Sequence, residues 1–245
     1  MGKIFITGST DGLGLLTAKA LIKNGYEVVL HARNQDRAKA LTHQLPDQKI
    51  LIADLSSIAQ CKALAKNAND LCTFDAIIHN AGVYQVSGTT EDNLPILFAV
   101  NTLAPYILTT LMHLPKRLVY LSSQMHLSGN TNVSKLSKPG FNTSYSDTKL
   151  YDLILAKAMA RKYPEIYSNA VDPGWVPTKM GGRGAPDNLQ KGYETQSWLA
   201  AGTDEHANIT GQYLHHKRPA QYHEMADDEL IQDTLLAQCK RISGV

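Results

Sequence analysis

Short runs of apolar residues alternate along the chain with stretches whose apolar positions recur every three or four residues. The runs predict strands over 3–7, 26–31, 49–53, 74–79, 117–122 and 167–171, with a last short one over 212–215. The helical spacing falls between them. It predicts helices over 13–23, ended by Asn24-Gly25, over 34–46, capped by Asn34 and ended by Pro46, and over 57–69. A longer helical stretch over 91–112 is interrupted by Pro95 and Pro105, and further helices follow over 144–163, 187–201 and 226–241.

Strands separated by helices mean βαβ crossovers and a parallel sheet. The strands are apolar almost without a break, as expected when helices cover both faces. The fold class is therefore α/β, a doubly wound parallel sheet flanked by helices, with 1–245 as a single domain. Two stretches, 127–142 and 179–188, are rich in Gly, Pro, Ser and Asn and read as loops. Loops of this length inside a compact fold are more often functional than accidental, so segments 124–142 and 179–192 are expected to shape a substrate pocket.

Composition narrows the classes. Of 245 residues 43% are apolar and 19% charged, enough for a core and too little charge for disorder. Lys and Arg number 24 against 22 Asp and Glu, a balance that excludes a protein held to nucleic acid mainly through phosphates. Three cysteines without metal-ligand spacing fit a reducing compartment, and no metal site is expected. The longest purely apolar stretch, 96–100, is far short of a membrane span, and the first strand begins almost at once. The expectation is a soluble, cytoplasmic protein that binds neither membrane nor nucleic acid.

Chemistry first shows between the first strand and first helix, in Thr7-Gly8-Ser9-Thr10-Asp11-Gly12-Leu13-Gly14. Glycines let a backbone turn tightly and approach a pyrophosphate, and the following helix N-terminus offers free N–H groups. Gly8, Ser9, Thr10, Gly12, Leu13 and Gly14 are thus candidate cofactor contacts, with Asp11 as a possible cap. A dinucleotide fold often ends its second strand on an acid for the ribose 2′-OH; here His31-Ala32-Arg33 holds none, and Arg33 suits a 2′-phosphate instead. Asp54-Leu55, after the third strand, is placed to meet an adenine edge, and Asp54 alone reads equally well as a helix cap.

Tyr145 and Lys149 lie four apart at a helix start, on one face. A nearby ammonium lowers a phenol's pKa, so the pair could exchange a proton with an alcohol or carbonyl. About one such pair is expected by chance in a chain of this composition, so its weight lies in its position. Ser122-Ser123 ends the strand just before that helix, where ligands of such sheets bind. Asn101 sits among apolar residues and reads equally as a satisfied core amide or as part of a proton relay.

Together these residues resemble the short-chain dehydrogenase/reductase family in its classical form, over nearly the whole chain. The resemblance implies a Rossmann-type fold and gives the glycine turn as Gly8, Gly12 and Gly14. The family's Asn-Asn-Ala-Gly motif is matched by Asn80-Ala81-Gly82, with His79 departing at its first position. It implies Asn101, Ser123, Tyr145 and Lys149 as the catalytic group. Tyr145 would be the acid/base, Ser123 would orient substrate, and Lys149 would hold the nicotinamide ribose and lower the tyrosine pKa. The segment Asp172-Pro173-Gly174-Trp175-Val176-Pro177-Thr178 matches its Pro-Gly motif and adds Pro173, Gly174, Val176 and Thr178 near the nicotinamide end.

Ser123 and Tyr145 are 22 apart, a longer spacing that resembles the retinol-dehydrogenase-like and protochlorophyllide-reductase-like branches. The implied activity is carbonyl–alcohol interconversion with NADP (NADPH), NAD being less suited. The alternative is an NADP-binding sensor with little turnover. The expected partners are a small carbonyl or alcohol substrate and further copies of the chain, as a homodimer or homotetramer. Segment 127–142 is expected to form a wall or lid of the pocket, with Met125 and His126 at its base.

Overall fold

The computed structural model describes residues 2–245. Eight strands form one sheet in the order β3-β2-β1-β4-β5-β6-β7-β8. They are β1 (Lys3–Ile6), β2 (Glu27–Ala32), β3 (Ile50–Ile52), β4 (Ala76–His79), β5 (Arg117–Leu121), β6 (Tyr167–Asp172), β7 (Tyr213–His215) and β8 (Arg218–Pro219). All neighbours pair in parallel except β7 and β8. The helices are α1 (Gly12–Lys23), α2 (Gln35–Thr42), α3 (Ile58–Leu71), α4 (Ile96–Phe98), α5 (Ala104–Leu111), α6 (Tyr145–Lys162), α7 (Leu189–Ala201) and α8 (Glu229–Ser243).

The unbroken apolar runs follow from two covered faces. Ile4 and Ile6 of β1 pack in one buried layer with Ala18 and Leu21 of α1 and Leu199 of α7. Phe5 between them points the other way, into a layer with residues of α3, α5, α6 and α8. Capping sets the helix starts. Asn34 Oδ1 accepts from Arg37 N at the head of α2, and Ser57 Oγ from Gln60 N at the head of α3. Ser144 and Asp147 form a reciprocal capping box that starts α6 at Tyr145, about one turn before Lys149.

Three expectations are corrected. The helix expected over 91–112 starts only at Ile96, because Pro95 is extended and bridges Thr89. Between α4 and α5 the chain widens into a π-turn, Ala99–Leu103. Pro105 lies at the first turn of α5 and has no N–H, so the Asn101 carbonyl four residues back is not taken up by an ordinary helical bond. The edge strand β8 was not foreseen; it folds back through His216 and Lys217, both at left-handed φ of 49° and 64°.

The third correction concerns segment 127–142. Instead of a free loop it forms two short 3₁₀ turns, Gln124–Ser128 and Val133–Ser137. Val133 and Leu136 are buried in the core layer beside α6 and α8. Asn130 N and Lys135 Nζ bond Asp147, and Arg241 bonds the Leu136 carbonyl. The segment is therefore fastened against α6 and α8, and none of its residues lines the cleft described next.

Candidate active site

The carboxyl ends of β1, β2, β4, β5 and β6 open onto a cleft of about 700 Å³. Its floor is the glycine turn. Gly8 has φ 64°, and a Cβ there would stand 2.8 Å from the Ala81 Cα. A Cβ on Gly14 would collide with the Gly8 carbonyl oxygen and Asn80 Nδ2. Both glycines are thus required by the close packing of the β1 and β4 turns. The same turns are laced together by Thr7 Oγ1, which accepts from Asn80 N and Ala81 N at 3.0 Å. Asn80 Nδ2 returns a bond to the Thr7 carbonyl at 2.9 Å. Asp11 caps α1 through Gly12 N at 2.8 Å and pairs with Lys179 at 2.5 Å. Burial raises its carboxyl, but the Lys179 ammonium and the Gly12 N–H outweigh that and hold it below the usual range.

His31 lines the cleft from a nearly buried position and locks this floor in place. Its Nδ1 accepts from Gly8 N at 3.0 Å, and its Nε2–H donates to the Ala53 carbonyl at 2.9 Å. That pattern needs the neutral ring, and burial lowers the imidazole to about 4. Ser9 belongs to this lock. It is fully buried, accepts from His31 N at 2.8 Å and donates to the Ile6 carbonyl at 3.1 Å, and it does not line the cleft. Gly8, Thr10, Gly12, Leu13 and Gly14 do.

At one end of the cleft stand Arg33, Asp54 and Leu55. Arg33 is exposed. Asp54 Oδ1 is engaged by Ser56 N and Ser56 Oγ in the turn ahead of α3, whose cap is Ser57, so the helix-cap reading of Asp54 fails and its place in the cleft wall stands. Arg37, absent from the sequence reading, lines the same end and reaches Thr10 Oγ1 at 3.5 Å. The signal for it was available: Asn34 as cap puts Arg33 and Arg37 at the head of one helix.

At the other end the cleft meets Asn80, Ala81, Gly82, Ser122, Tyr145, Lys149, Pro173 and Thr178. The Tyr145 ring stands edge-on to that of Tyr84, centroids 4.8 Å apart, with Lys149 Nζ 5.6 Å from the Tyr145 centroid. Lys149 is buried and donates to the Leu121 carbonyl at 2.6 Å and to Asp152 Oδ2 at 2.8 Å. Burial raises the Tyr145 phenol; Lys149 pulls it down, while Asp152, Asp172 and Tyr84 push it up. The net direction is upward, opposite to the lowering expected from the lysine, because burial and the carboxylates outweigh one ammonium.

Asn101 lies beneath. Its Oδ1 accepts from Val83 N at 2.8 Å, and its Nδ2 donates to the Val83 carbonyl and Thr148 Oγ1 at 3.0 Å. The side chain is thus fully used in joining the loop after β4 to α6. Ser122 Oγ donates to the Lys149 carbonyl at 2.7 Å. Ser123 caps the following 3₁₀ turn, its Oγ accepting from Met125 N at 3.2 Å, and does not line the cleft. Gly174 and Val176 also stand off the cleft: Gly174 N bonds Asp172 Oδ1, and buried Val176 packs against Gly192 of α7. Lys179 and Met180 of the neighbouring loop are in the wall. His79 is buried, bonds Thr109 Oγ1 at 2.8 Å and lies against the Tyr120 ring, away from the cleft lining.

Residues 3–188 match the family described as short chain dehydrogenase. The chain belongs to the short-chain dehydrogenases. This dehydrogenase is 44% identical to an uncharacterized oxidoreductase of Emericella nidulans, over 100% of the chain and 98% of the relative. It is 38% identical to the short-chain dehydrogenase chyC of Penicillium rubens, with the same coverage. Retinol dehydrogenase 14 of Mus musculus is 31% identical over 73% of the chain and 62% of its own length, in keeping with the retinol-dehydrogenase-like pattern. Among solved structures, an uncharacterized Mycobacterium paratuberculosis protein superposes with a TM-score of 0.85 at 22% identity, covering 100% of this chain and 94% of that one. A Shigella flexneri short chain dehydrogenase complexed with NADP gives 0.69 at 21% identity, covering 89% and 97%. The dehydrogenase has no helix long and apolar enough to cross a membrane, and no cluster of His, Cys, Asp or Glu suited to a metal, among its described residues.

Proposed function

We propose that this oxidoreductase interconverts a carbonyl and an alcohol, with NADP(H) preferred to NAD(H) as its cofactor. The observation that carries the reading is continuity: one cleft joins Arg33 and Arg37, the glycine turn, and the Tyr145–Lys149 pair. The residues suit the cofactor. The turn presents backbone N–H groups at the α1 N-terminus, which attract phosphate. Two exposed guanidiniums and no carboxylate at the end of β2 favour a 2′-phosphate over a free hydroxyl. The Shigella flexneri neighbour complexed with NADP is in keeping with this choice.

A bound nicotinamide cofactor supplies or accepts the hydride. Tyr145 donates the proton to the carbonyl oxygen. The Ser123 hydroxyl, whose oxygen accepts from Met125 N in this structure, keeps its own proton, and donating it to the same oxygen requires the side chain to turn from that cap into the cleft. Lys149 uses two of its three N–H donors on Leu121 and Asp152, and the third is free for a ribose hydroxyl. Asn101, tied to α6 through Thr148, and Lys149 would refill Tyr145 with a proton from solvent. Retention of both Tyr145 and Lys149 at the cleft disfavours a sensor without turnover. The test is a panel of ketones, aldehydes and quinones with NADPH and NADH. Turnover of at least one carbonyl, with NADPH binding more tightly in isothermal titration, supports the reading; binding without turnover across the panel overturns it.

A further inference from the structure

A second cavity, of about 460 Å³, opens between α7 and the β7–β8 hairpin. Lys191, Glu194 and Thr195 line it from α7, and His216, Lys217 and Arg218 from the hairpin. No residue lines both this cavity and the cleft at the glycine turn. Its charge is lopsided. Lys217 Nζ reaches Glu194 at 4.0 Å, whereas Lys191 and Arg218 have no acidic partner among the described residues. Three cations thus surround the cavity with one carboxylate, an excess of two positive charges.

Two polar groups here are also left over. Thr195 is 1% exposed, and its Oγ1 accepts from Lys217 N at 3.0 Å. A helical threonine often gives its proton to a carbonyl one turn back; this one gives it to no described group, so the proton is free for the cavity. His216 Nε2 is buried without a hydrogen-bond partner. A buried polar atom left unsatisfied costs stability, and a ligand that bonds it removes the cost. The backbone that holds this ring is itself unfavourable. His216 and Lys217 both lie in the left-handed region, at φ 49° and 64°, where a side chain crowds the chain. Burial lowers the His216 imidazole, and His215 and Lys191 lower it further, against Asp187 and Asp172, so the bases crowd one another. An anion among them would relieve that crowding.

We propose that this cavity binds a free oxyanion of the phosphate class, apart from the cleft of the glycine turn and Tyr145. The excess of two positive charges matches a phosphate near neutral pH, which carries about −1.5 to −2. The Thr195 hydroxyl, the Nε2–H tautomer of His216 and the Arg218 guanidinium are donors suited to its several oxygens. A single carboxylate would leave one cation and part of this donor set unused.

The test is isothermal titration of inorganic phosphate into the full chain at fixed ionic strength, with sodium chloride making up the balance. One phosphate per chain is expected, with a Kd of about 1 mM or tighter. Lys191 and Arg218 are exposed, so K191A/R218A leaves the core intact, and it should weaken binding at least tenfold. T195V removes the hydroxyl at nearly constant shape and should weaken binding by about tenfold, with Tm as the check on folding. The cleft also attracts phosphate, so R33A/R37A is the control and should leave this binding within about twofold. Binding lost in R33A/R37A and kept in K191A/R218A would place the phosphate in the cleft and overturn the proposal. So would the absence of saturable binding, or binding that chloride alone reproduces. The titration needs no turnover, so it decides this site even where the carbonyl panel fails.

Discussion

At the Tyr145 end of the cleft the charged groups are buried and already paired, Lys149 with Asp152 and with the Leu121 carbonyl. At the Arg33 end the guanidiniums of Arg33 and Arg37 stand in solvent. The difference teaches where each end draws its order. A buried charge must be satisfied by the protein itself, so the geometry at this end exists before any ligand arrives. An exposed arginine loses little in water and would gain its partner from a bound cofactor, so in the proposed reading that end contributes affinity and choice rather than rate.

Breaking the buried end should have the largest effect. Tyr145→Phe removes one hydroxyl, and general acid catalysis is worth about 10²–10⁴-fold in turnover. NADPH affinity measured by titration should stay close to that of the parent. A variant that kept most of its activity on a verified substrate would remove Tyr145 from the chemistry.

Next comes the segment behind that end. Leu136 is 1% exposed and packs in the layer with α6 and α8. Leu136→Ala should cost about 2–5 kcal/mol of stability in denaturant unfolding. KM and substrate range should not change, because the segment does not line the cleft. A changed KM with unchanged stability would restore the lid and blur the contrast.

The floor under the exposed end answers to pH. His31 falls from 6.5 to about 4 on folding. Between those values the unfolded chain binds a proton that the native chain refuses. The contribution of His31 is therefore complete above pH 6.5 and is lost as pH falls toward 4, by roughly 3 kcal/mol in all. His79, lowered to about 3, acts in the same sense, so the measurement is a difference. The stability of the parent minus that of His31→Asn, followed from pH 7 to 4, should shrink over this window. A constant difference would mean that His31 takes up its proton as readily in the native protein as in the unfolded chain.

Smallest is the effect of the exposed charge. Arg33→Ala should cost about 1.5–3 kcal/mol of NADPH affinity, roughly ten- to a hundredfold, and leave NADH nearly unchanged. Arg37→Ala should act in the same direction. Equal losses for both cofactors would make the arginines structural.

Much of the fold was legible because its causes are local. Asn34, Ser57 and Ser144 cap helices by bonding a backbone N–H three residues on, which requires only the right side chain at the right spacing. The apolar runs announced strands covered on both sides. Pro95 was visible as an interruption, but its power to delay the helix to Ile96 came from the bridge to Thr89. The glycine turn was legible as a place needing glycine, though the reason was only half seen: Gly8 and Gly14 are held to glycine by Asn80 and Ala81 as well as by any phosphate.

By itself the sequence determined the order of strands and helices, the turn at Gly8–Gly14 and the pairing of Tyr145 with Lys149 on one helix face. These depend on hydrogen bonds and periodicities spanning at most a few residues. Only the tertiary structure decided which side chains lost their water. It put Ser9 under the floor rather than in the cleft, buried His31 in the cleft wall as the lock of the glycine turn, and added Arg37 to the arginine end. It fastened segment 127–142 through Val133 and Leu136, and it buried Asp152 against Lys149. Burial depends on elements far apart in the chain closing over one another. The cost of an unpaired charge, and the direction in which a phenol shifts, are therefore set only once the chain has folded.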